Sequence, residues 1–216
     1  MSEPSDQIAG VGAREQPADS GVEVFERHYA GAPGAGWEIN RPQTVLVRLA
    51  EEGALRGRVL DVGCGSGDNA LLAAEHGLET TGVDAAPSAI TLAARKARER
   101  GLKARFLEWD ALDLASLGEQ FDTLIDVGLF HCFAPEDRPL VARSMASVVP
   151  PGGRCFLMCF SDRQPGTWGP RRVPEQAVRE SFTDAGWRVD TLEAAELDVA
   201  FHPGAAQAWF AAMTRL

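Results

Sequence analysis

Short apolar runs alternate with segments of helical periodicity along most of the chain. Runs that are apolar on both faces are typical of parallel strands buried between helices. Seven runs predict seven strands, in chain order Val59–Val62, Glu79–Val83, Ala104–Glu108, Phe121–Val127, Arg154–Phe160, Trp187–Glu193 and Gln207–Thr214. The alternation predicts an α/β fold with a doubly wound, Rossmann-like sheet of seven strands, mostly parallel with the last strand antiparallel.

The part of the chain before the first strand has a different character. Residues 1–21 are rich in Ser, Pro, Asp, Glu and Gly and poor in large apolar side chains, so we predict a disordered tail there. Residues 22–216 are predicted to form a single domain, with a helical lid segment over 22–52. Within that segment Trp37 precedes a turn and a helix, and it is either a hydrophobic staple on the core or part of a lid over a ligand.

Composition and charge narrow the function classes. The chain has 216 residues and a formal charge of −10, which disfavours a nucleic-acid partner because phosphate binding normally needs a basic face. The sequence has no apolar run of membrane-spanning length and no basic-then-apolar leader, so no membrane partner is expected. The four cysteines lack metal-ligand spacing, so we predict no metal site and a reducing, cytoplasmic location. The sequence makes no prediction of oligomeric state.

The stretch Arg58–Ala70, RVLDVGCGSGDNA, carries the strongest motif of the chain. An apolar run ends there in alternate glycines, and a helical pattern follows; this arrangement lets backbone approach a ligand at a helix N-terminus. A dinucleotide fingerprint would have glycine at the sixth position, where this chain has Asp68. The GxGxG form, with Asp61 two residues before it, instead resembles motif I of the class I S-adenosylmethionine-dependent methyltransferases.

Groups at the ends of the strands extend this predicted site, because ligands bind outside the carboxyl ends of open parallel sheets. The turn Gly63–Gly65, which includes Cys64, would hold the methionine moiety of S-adenosylmethionine. Asp84 follows about twenty residues after the first glycine, where a carboxylate reaches ribose hydroxyls. Asp110 and Ala111 would bind the adenine, with Asp113 rather than Asp110 capping the local turn. Asp126 and Val127 would face the sulfonium.

His131 is the candidate catalytic residue. It follows the fourth strand, next to Cys132. It is either a general base or substrate anchor, or a buried hydrogen-bonded histidine. A Cys–His nucleophilic pair is not expected, because adjacent residues in a turn rarely face each other.

A longer resemblance concerns the methyl acceptor. The run from Phe121 to Phe160 resembles the fourth-strand to fifth-strand segment of the thiopurine, thiol and halide methyltransferase family. The following SDRQPGTWGPRRV resembles the Gly- and Pro-rich loop beside the acceptor pocket of that family. The segment GWEINRPQ is similar to the Trp-containing segment that packs over the cofactor in that family, although Asn40 stands where glycine is common. Asparagine tolerates a positive φ, so the turn can survive. The resemblance implies cofactor contacts from Trp37, Gly63, Gly65, Asp84, Ala85, Asp110 and Ala111, and we add Asp61, Cys64, Asp126 and Val127.

The sequence therefore predicts S-adenosylmethionine-dependent methyl transfer to a small-molecule acceptor, in the first place a thiol, selenol or halide. The alternative is an O- or N-methyltransferase of a natural-product pathway. A thiolate needs no base, whereas a phenol needs one, for which His131 is the candidate. A non-catalytic subunit that binds the cofactor is a third hypothesis. An NAD-linked reductase is disfavoured, because Tyr29 has Pro33 at the position of a partner lysine.

Overall fold

The computed structural model describes residues 21–31, 36–200 and 205–216. Their helices are α1 Val22–Tyr29, α2 Thr44–Glu51, α3 Asp68–Glu75, α4 Pro87–Arg100, α5 Arg138–Ser147 and α6 Glu175–Asp184. Their strands are β1 Arg58–Val62, β2 Glu79–Asp84, β3 Ala104–Glu108, β4 Thr123–Val127, β5 Arg154–Phe160, β6 Trp187–Asp198 and β7 Ala205–Arg215. The predicted disordered tail lies outside the described residues except for Gly21. None of these helices is long and apolar enough to cross a membrane.

All seven strands form one sheet in the order β3-β2-β1-β4-β5-β7-β6. β1 to β5 are parallel, whereas β7 runs antiparallel to both of its neighbours, β5 and β6. This confirms the predicted doubly wound, mostly parallel sheet with an antiparallel last strand. The strand order reverses between β1 and β4, which is where open sheets of this type bind ligands.

The sheet separates two apolar cores. α5 and α6 help to bury one core, and α2 and α3 help to bury the other. Strand β5 contributes to both, because successive residues of a strand point to opposite faces. Cys155, Leu157 and Cys159 lie in one core, and Phe156, Met158 and Phe160 lie in the other. Cys155 and Cys159 are therefore core thiols on one face of the sheet.

The last two strands are longer than predicted. β6 continues through charged residues such as Glu193 and Glu196 as far as Asp198. It is the outer strand of the sheet, so many of its side chains face solvent and the apolar pattern that marks a buried strand is weak. β7 lies between β5 and β6 and pairs with β6 over its whole length, which fixes the extent of both.

The N-terminal segment packs against the rest of the domain at two places. In α2, Leu46, Leu49 and Ala50 are buried in the core. α1 docks on α4 through the Glu26 carboxylate, which accepts the backbone N–H of Ser88 at 3.0 Å and its hydroxyl at 2.5 Å. These contacts satisfy donors in the first turn of α4 and lower the pKa of Glu26. Asn40 has a φ of 53°, so asparagine supplies a left-handed residue in this segment.

Replacing Glu26 with Ala should release α1 from α4 without unfolding the sheet. We expect faster amide hydrogen exchange over residues 22–29 and unchanged exchange in β1 and β4. Glu23→Ala is the matched control, because Glu23 is an exposed acid on the same helix. Identical exchange of α1 in the Glu26→Ala variant and the parent protein would contradict the docking role.

Candidate active site

A cavity of about 800 Å³ lies at the carboxyl ends of β1, β2 and β4. Its volume is in the range of small-molecule sites. The glycine turn after β1 forms part of its wall, and α1 with residues 36–43 contributes another part. The predicted site residues that line it are Trp37, Gly63, Cys64, Gly65, Asp84, Ala85, Asp110, Ala111, Val127 and His131. The sequence motif thus locates the cavity correctly.

The glycine turn uses its first backbone donors inside the protein. The N–H groups of Gly63 and Cys64 both donate to the Val83 carbonyl, at 2.8 and 2.9 Å. The N–H of Gly65 donates to Asp84 Oδ2 at 2.9 Å. Gly63 and Gly65 have φ values of 68° and 53°, a left-handed conformation that glycine adopts without strain. Because these three donors are occupied, they do not offer a phosphate cradle of the kind found in dinucleotide sites.

Asp84 is held rigidly at the end of β2. Its Oδ1 accepts the N–H of Ala86 at 2.9 Å, while Oδ2 accepts that of Gly65. Each carboxylate oxygen has a second lone pair, so Asp84 can still accept hydrogen bonds from ligand hydroxyls in the cavity. Burial raises the pKa of Asp84, and the backbone hydrogen bonds oppose that effect. This geometry fits the ribose of an adenosyl group.

Asp61 and Asp126 are buried beside the cavity rather than on its wall, which differs from the prediction that they contact the cofactor. Asp61 accepts the N–H of Ala70 in α3, and its Oδ2 has no partner among the described residues. Asp126 accepts the N–H groups of Leu129 and Phe130, at 2.9 and 3.1 Å. Both side chains therefore fix turns that form the cavity.

The environment of these two acids raises the pKa of both in the ligand-free protein. Burial raises the pKa of Asp61 to about 8, and the neighbouring Asp126 and Asp84 act in the same direction. Burial raises the pKa of Asp126 to about 7, against the effect of its backbone hydrogen bonds. A positively charged group in the cavity would lie close to three acids and would favour their ionised form, so a bound cation and the ionised carboxylates would stabilise each other.

Asp110 caps the turn that follows β3. Its Oδ1 accepts the N–H of Leu112 at 2.9 Å, so the prediction that Asp113 takes this role is wrong. Asp113 instead accepts the Ser116 hydroxyl, and its carbonyl accepts the indole N–H of Trp109 at 2.9 Å. The difference arises because the helical turn starts directly after Asp110, which places that carboxylate at its N-terminus. Asp110 also lines the cavity, and its Oδ2 accepts no hydrogen bond from the described residues.

Trp37 lies on the rim of the cavity with 39% of its surface exposed. Its indole N–H donates to the Tyr29 hydroxyl at 3.0 Å, and its ring meets those of Phe25 and His28 edge-on. This exposure favours the lid interpretation over the core staple. Tyr29 was not among the predicted site residues, although a Cβ on Gly65 would collide with its hydroxyl. The only signal for it in the sequence is that it is the single tyrosine of the chain.

His131 lies on the cavity wall but only 5% of it is exposed. Its Nδ1 accepts the backbone N–H of Phe160 at 3.0 Å, which places the ring proton on Nε2. Burial lowers the pKa of His131 to about 3, and the guanidinium groups of Arg138 and Arg172 add to this effect. The geometry therefore favours a neutral, hydrogen-bonded histidine that can donate from Nε2, rather than a free base.

The surroundings of Cys132 do not favour nucleophilic chemistry at its thiol. Its Sγ donates to the Gly128 carbonyl at 3.3 Å, and burial raises the pKa of the thiol to about 12. A thiol with such a pKa is a poor nucleophile at neutral pH. Among the described residues, no group of three His, Cys, Asp or Glu side chains is placed to bind a metal ion.

Comparisons with known proteins agree with this geometry. Residues 59–153 match the family described as "Methyltransferase domain". A 2-heptyl-1-hydroxyquinolin-4(1H)-one methyltransferase of Mycobacteroides abscessus is 35% identical over 81% of this chain and 81% of its own length. The chain belongs to the S-adenosylmethionine-dependent methyltransferases. It is an enzyme that acts on a small molecule, and its cofactor is S-adenosylmethionine.

Two further similarities bear on the acceptor. A solved structure described as "Conversion of a Disulfide Bond into a Thioacetal Group during Echinomycin Biosynthesis" is 31% identical and has a TM-score of 0.83; the match covers 90% of this chain and 93% of that chain. A probable thiol methyltransferase of Arabidopsis thaliana is 29% identical over 57% of this chain and 56% of its own length. The predicted resemblance to thiol methyltransferases is therefore present but distant.

Replacing Asp84 with Ala should weaken S-adenosylmethionine binding by about 1–3 kcal/mol, because charge-assisted hydrogen bonds to the ligand lose their acceptor. Titration calorimetry measures the change, and circular dichroism checks that the fold is intact. Asp184→Ala, an exposed acid at the end of α6, is the control and should leave the affinity unchanged. Parent-like affinity in the Asp84→Ala variant would remove Asp84 from the binding site.

Replacing Asp61 with Asn should make the stability of the ligand-free enzyme less sensitive to pH. The pKa of Asp61 is about 8 in the fold, against roughly 4 in the unfolded chain. The folded state therefore holds an extra proton in this range, so the contribution of Asp61 is present at low pH and is lost as pH rises toward 8. The stability of Asp61→Asn relative to the parent should rise from pH 4 to 8 and then level off. A constant difference over that range in denaturant titrations would show that Asp61 is ionised in the fold.

Proposed function

We propose that this methyltransferase acts on an apolar small molecule whose oxygen or sulfur atom is already ionised when methyl transfer begins. The observation that carries the proposal is the hydrogen bond from the Phe160 N–H to Nδ1 of His131. With Nδ1 occupied and Nε2 protonated, neither ring nitrogen is free to take a proton from an acceptor. An acceptor that loses its proton to solvent needs no such base.

The two ends of the cavity suit two different ligands. At the end formed by the strand termini, Asp84 would hold the ribose, Asp110 the adenine and the Gly63–Gly65 turn the methionine moiety. When bound, S-adenosylmethionine supplies a methyl group on a positively charged sulfur, and its S–CH₃ bond breaks as the acceptor heteroatom forms its bond to the methyl carbon. The enzyme then contributes mainly by holding the acceptor close and aligned.

The cavity wall also includes large apolar side chains. They come from α1, β5, β6 and the segments that follow β4 and β6: Phe25, Phe133, Phe160, Leu197 and Val199. An aromatic ring or an alkyl chain would match such an apolar surface, which is larger than a halide ion could cover. Trp37 and α1 would close over both ligands, so that residues 22–52 act as the predicted lid of one domain over 22–216.

Two acceptor classes meet these requirements. One is the soft thiol or selenol that the sequence resemblance suggests. The other is an acidic hydroxyl on a heterocycle, which the 35% identity to a hydroxyquinolone methyltransferase supports. An N-hydroxy heterocycle belongs to natural-product chemistry, so this second class corresponds to the alternative predicted from the sequence.

The pH dependence of turnover tests the absence of a catalytic base. With thiophenol, 2-heptyl-1-hydroxyquinolin-4(1H)-one and 4-propylphenol as acceptors, kcat/KM should rise with pH through the pKa of each acceptor in turn. The His131→Ala variant should keep these profiles with a uniform loss of ~10-fold, since it loses only a hydrogen-bond donor.

His76→Ala is the matched control, because His76 is an exposed histidine at the end of α3. Its replacement should leave kcat/KM unchanged at every pH. A single pH profile common to all three acceptors that disappears in His131→Ala would instead identify His131 as a general base.

A further inference from the structure

Three arginines surround the acceptor end of the cavity without a carboxylate partner. Arg138, Arg171 and Arg172 form no ion pair within 4.0 Å in the described part of the chain. Arg138 is only 4% exposed, and its Nε has no hydrogen-bond partner among the described residues. A buried guanidinium is normally paired, because transferring an unpaired charge from water is costly. These charges therefore need a functional explanation in a chain whose net charge is −10.

Arg172 is a fixed charge within the loop that follows β5. Its guanidinium donates to the carbonyls of Gln164, Pro170 and Trp168, at 3.1, 2.7 and 2.9 Å. It also lies over the rings of Phe160 and Trp168. The carbonyls satisfy its donors, but they carry no full negative charge. The loop thus holds a net positive charge against the acceptor end of the cavity.

Arg171 is the arginine of this group that lines the cavity itself. Its Nη1 donates to the Cys132 carbonyl at 2.6 Å, which fixes the guanidinium at the residue that follows His131. A guanidinium has five N–H donors, so others remain for a ligand. His131 and Arg171 both line the cavity, so Nε2–H of His131 and the remaining N–H groups of Arg171 are two donors that a ligand there can use.

Several other ionisable groups lie near this wall. Asp198 lines the cavity and is paired with Arg41, and Glu136 acts electrostatically on Arg138. Asp137 lies on the cavity wall and Glu136 is exposed beside it, whereas burial raises the pKa of both Cys132 and Cys159 and keeps these thiols neutral. On the opposite side, Glu26 is engaged by Ser88, Glu38 lies near Lys96, and His28 lines the cavity. Asp61, Asp84 and Asp126 lie in β1, β2 and β4, and Asp126 also acts on the thiols of Cys132 and Cys159.

From this division of charge we infer that the acceptor binds as an anion, with its ionised oxygen or sulfur facing the Arg171 guanidinium and the Nε2–H of His131. The inference rests on the proposed function and specifies the form in which the acceptor is recognised. It makes Arg171 a specificity-determining residue that selects acidic acceptors over neutral amines and alcohols. Arg138 and Arg172 are positioning residues: their charges add to the positive electrostatic potential at the acceptor, but they do not contact it.

The test measures the ionisation of a bound acceptor without methyl transfer. The enzyme is saturated with S-adenosylhomocysteine, the demethylated product, and 2-heptyl-1-hydroxyquinolin-4(1H)-one or thiophenol is added. Absorbance against pH then gives the apparent pKa of each probe when bound and when free. We expect the anion to bind about tenfold or more tightly than the neutral form, which lowers the apparent pKa of the bound probe by about one.

The Arg171→Gln variant should lose most of this shift while its affinity for S-adenosylhomocysteine stays the same. Arg163→Gln is the matched control, because Arg163 is an exposed arginine of the same loop that does not line the cavity; it should keep the shift. An unchanged or raised pKa of the bound probes would overturn the inference, as would a full shift in Arg171→Gln or failure of both probes to bind.

These outcomes are separable from failure of the proposed function. If the enzyme methylates a neutral amine and binds the probes only in their neutral form, the anionic acceptor is wrong although the methyltransferase activity stands. If the shift is present but His131 proves to be the base in the turnover assay, the acceptor site stands and the base-free mechanism is wrong.

Discussion

The site depends on carboxylates that accept backbone N–H groups where the strands end. The carboxylates of Asp84, Asp126 and Asp61 accept the backbone N–H groups of Gly65, Phe130 and Ala70, respectively. Each of these bonds joins the end of one central strand to a turn or helix that forms the cavity. Because the donors are backbone groups, these bonds fix the conformation of the turns directly, and the glycines allow that conformation. The sheet determines where the cavity lies, and these hydrogen bonds fix the conformation of the turns that line it.

The same acids give the cavity an uneven charge distribution. They lie in β1, β2 and β4, whereas Arg171 and Arg172 belong to the loop after β5 and Arg138 begins α5. A sulfonium cation and an anionic acceptor would each find the field that stabilises it, and their reacting atoms would meet between the two. Preorganised charge of this kind favours catalysis, since the groups need not reorient during the reaction. The mechanism proposed above therefore needs no catalytic base.

Much of the fold, and much of the cofactor end of the cavity, could be predicted from short stretches of the sequence. The glycine spacing, Asp84 and the apolar runs are each readable within a short window, because their roles depend on one strand and the turn that follows it. Asn40 is a similar case, since a left-handed asparagine is a local property. The roles of His131 and Arg171 could not be read in this way. The first depends on the amide of Phe160 and the second on the carbonyl of Cys132, which are distant in sequence and adjacent only in the folded sheet.

The central claim is that the strand-end site selects a cationic adenosyl ligand rather than a phosphate-bearing one. Titration calorimetry of the enzyme with S-adenosylmethionine and, separately, with NAD tests it directly. We predict saturable binding of S-adenosylmethionine and no measurable binding of NAD, because the donors of the glycine turn are occupied and the nearby charges are acidic. Comparable affinity for NAD, or binding of NAD alone, would contradict the account.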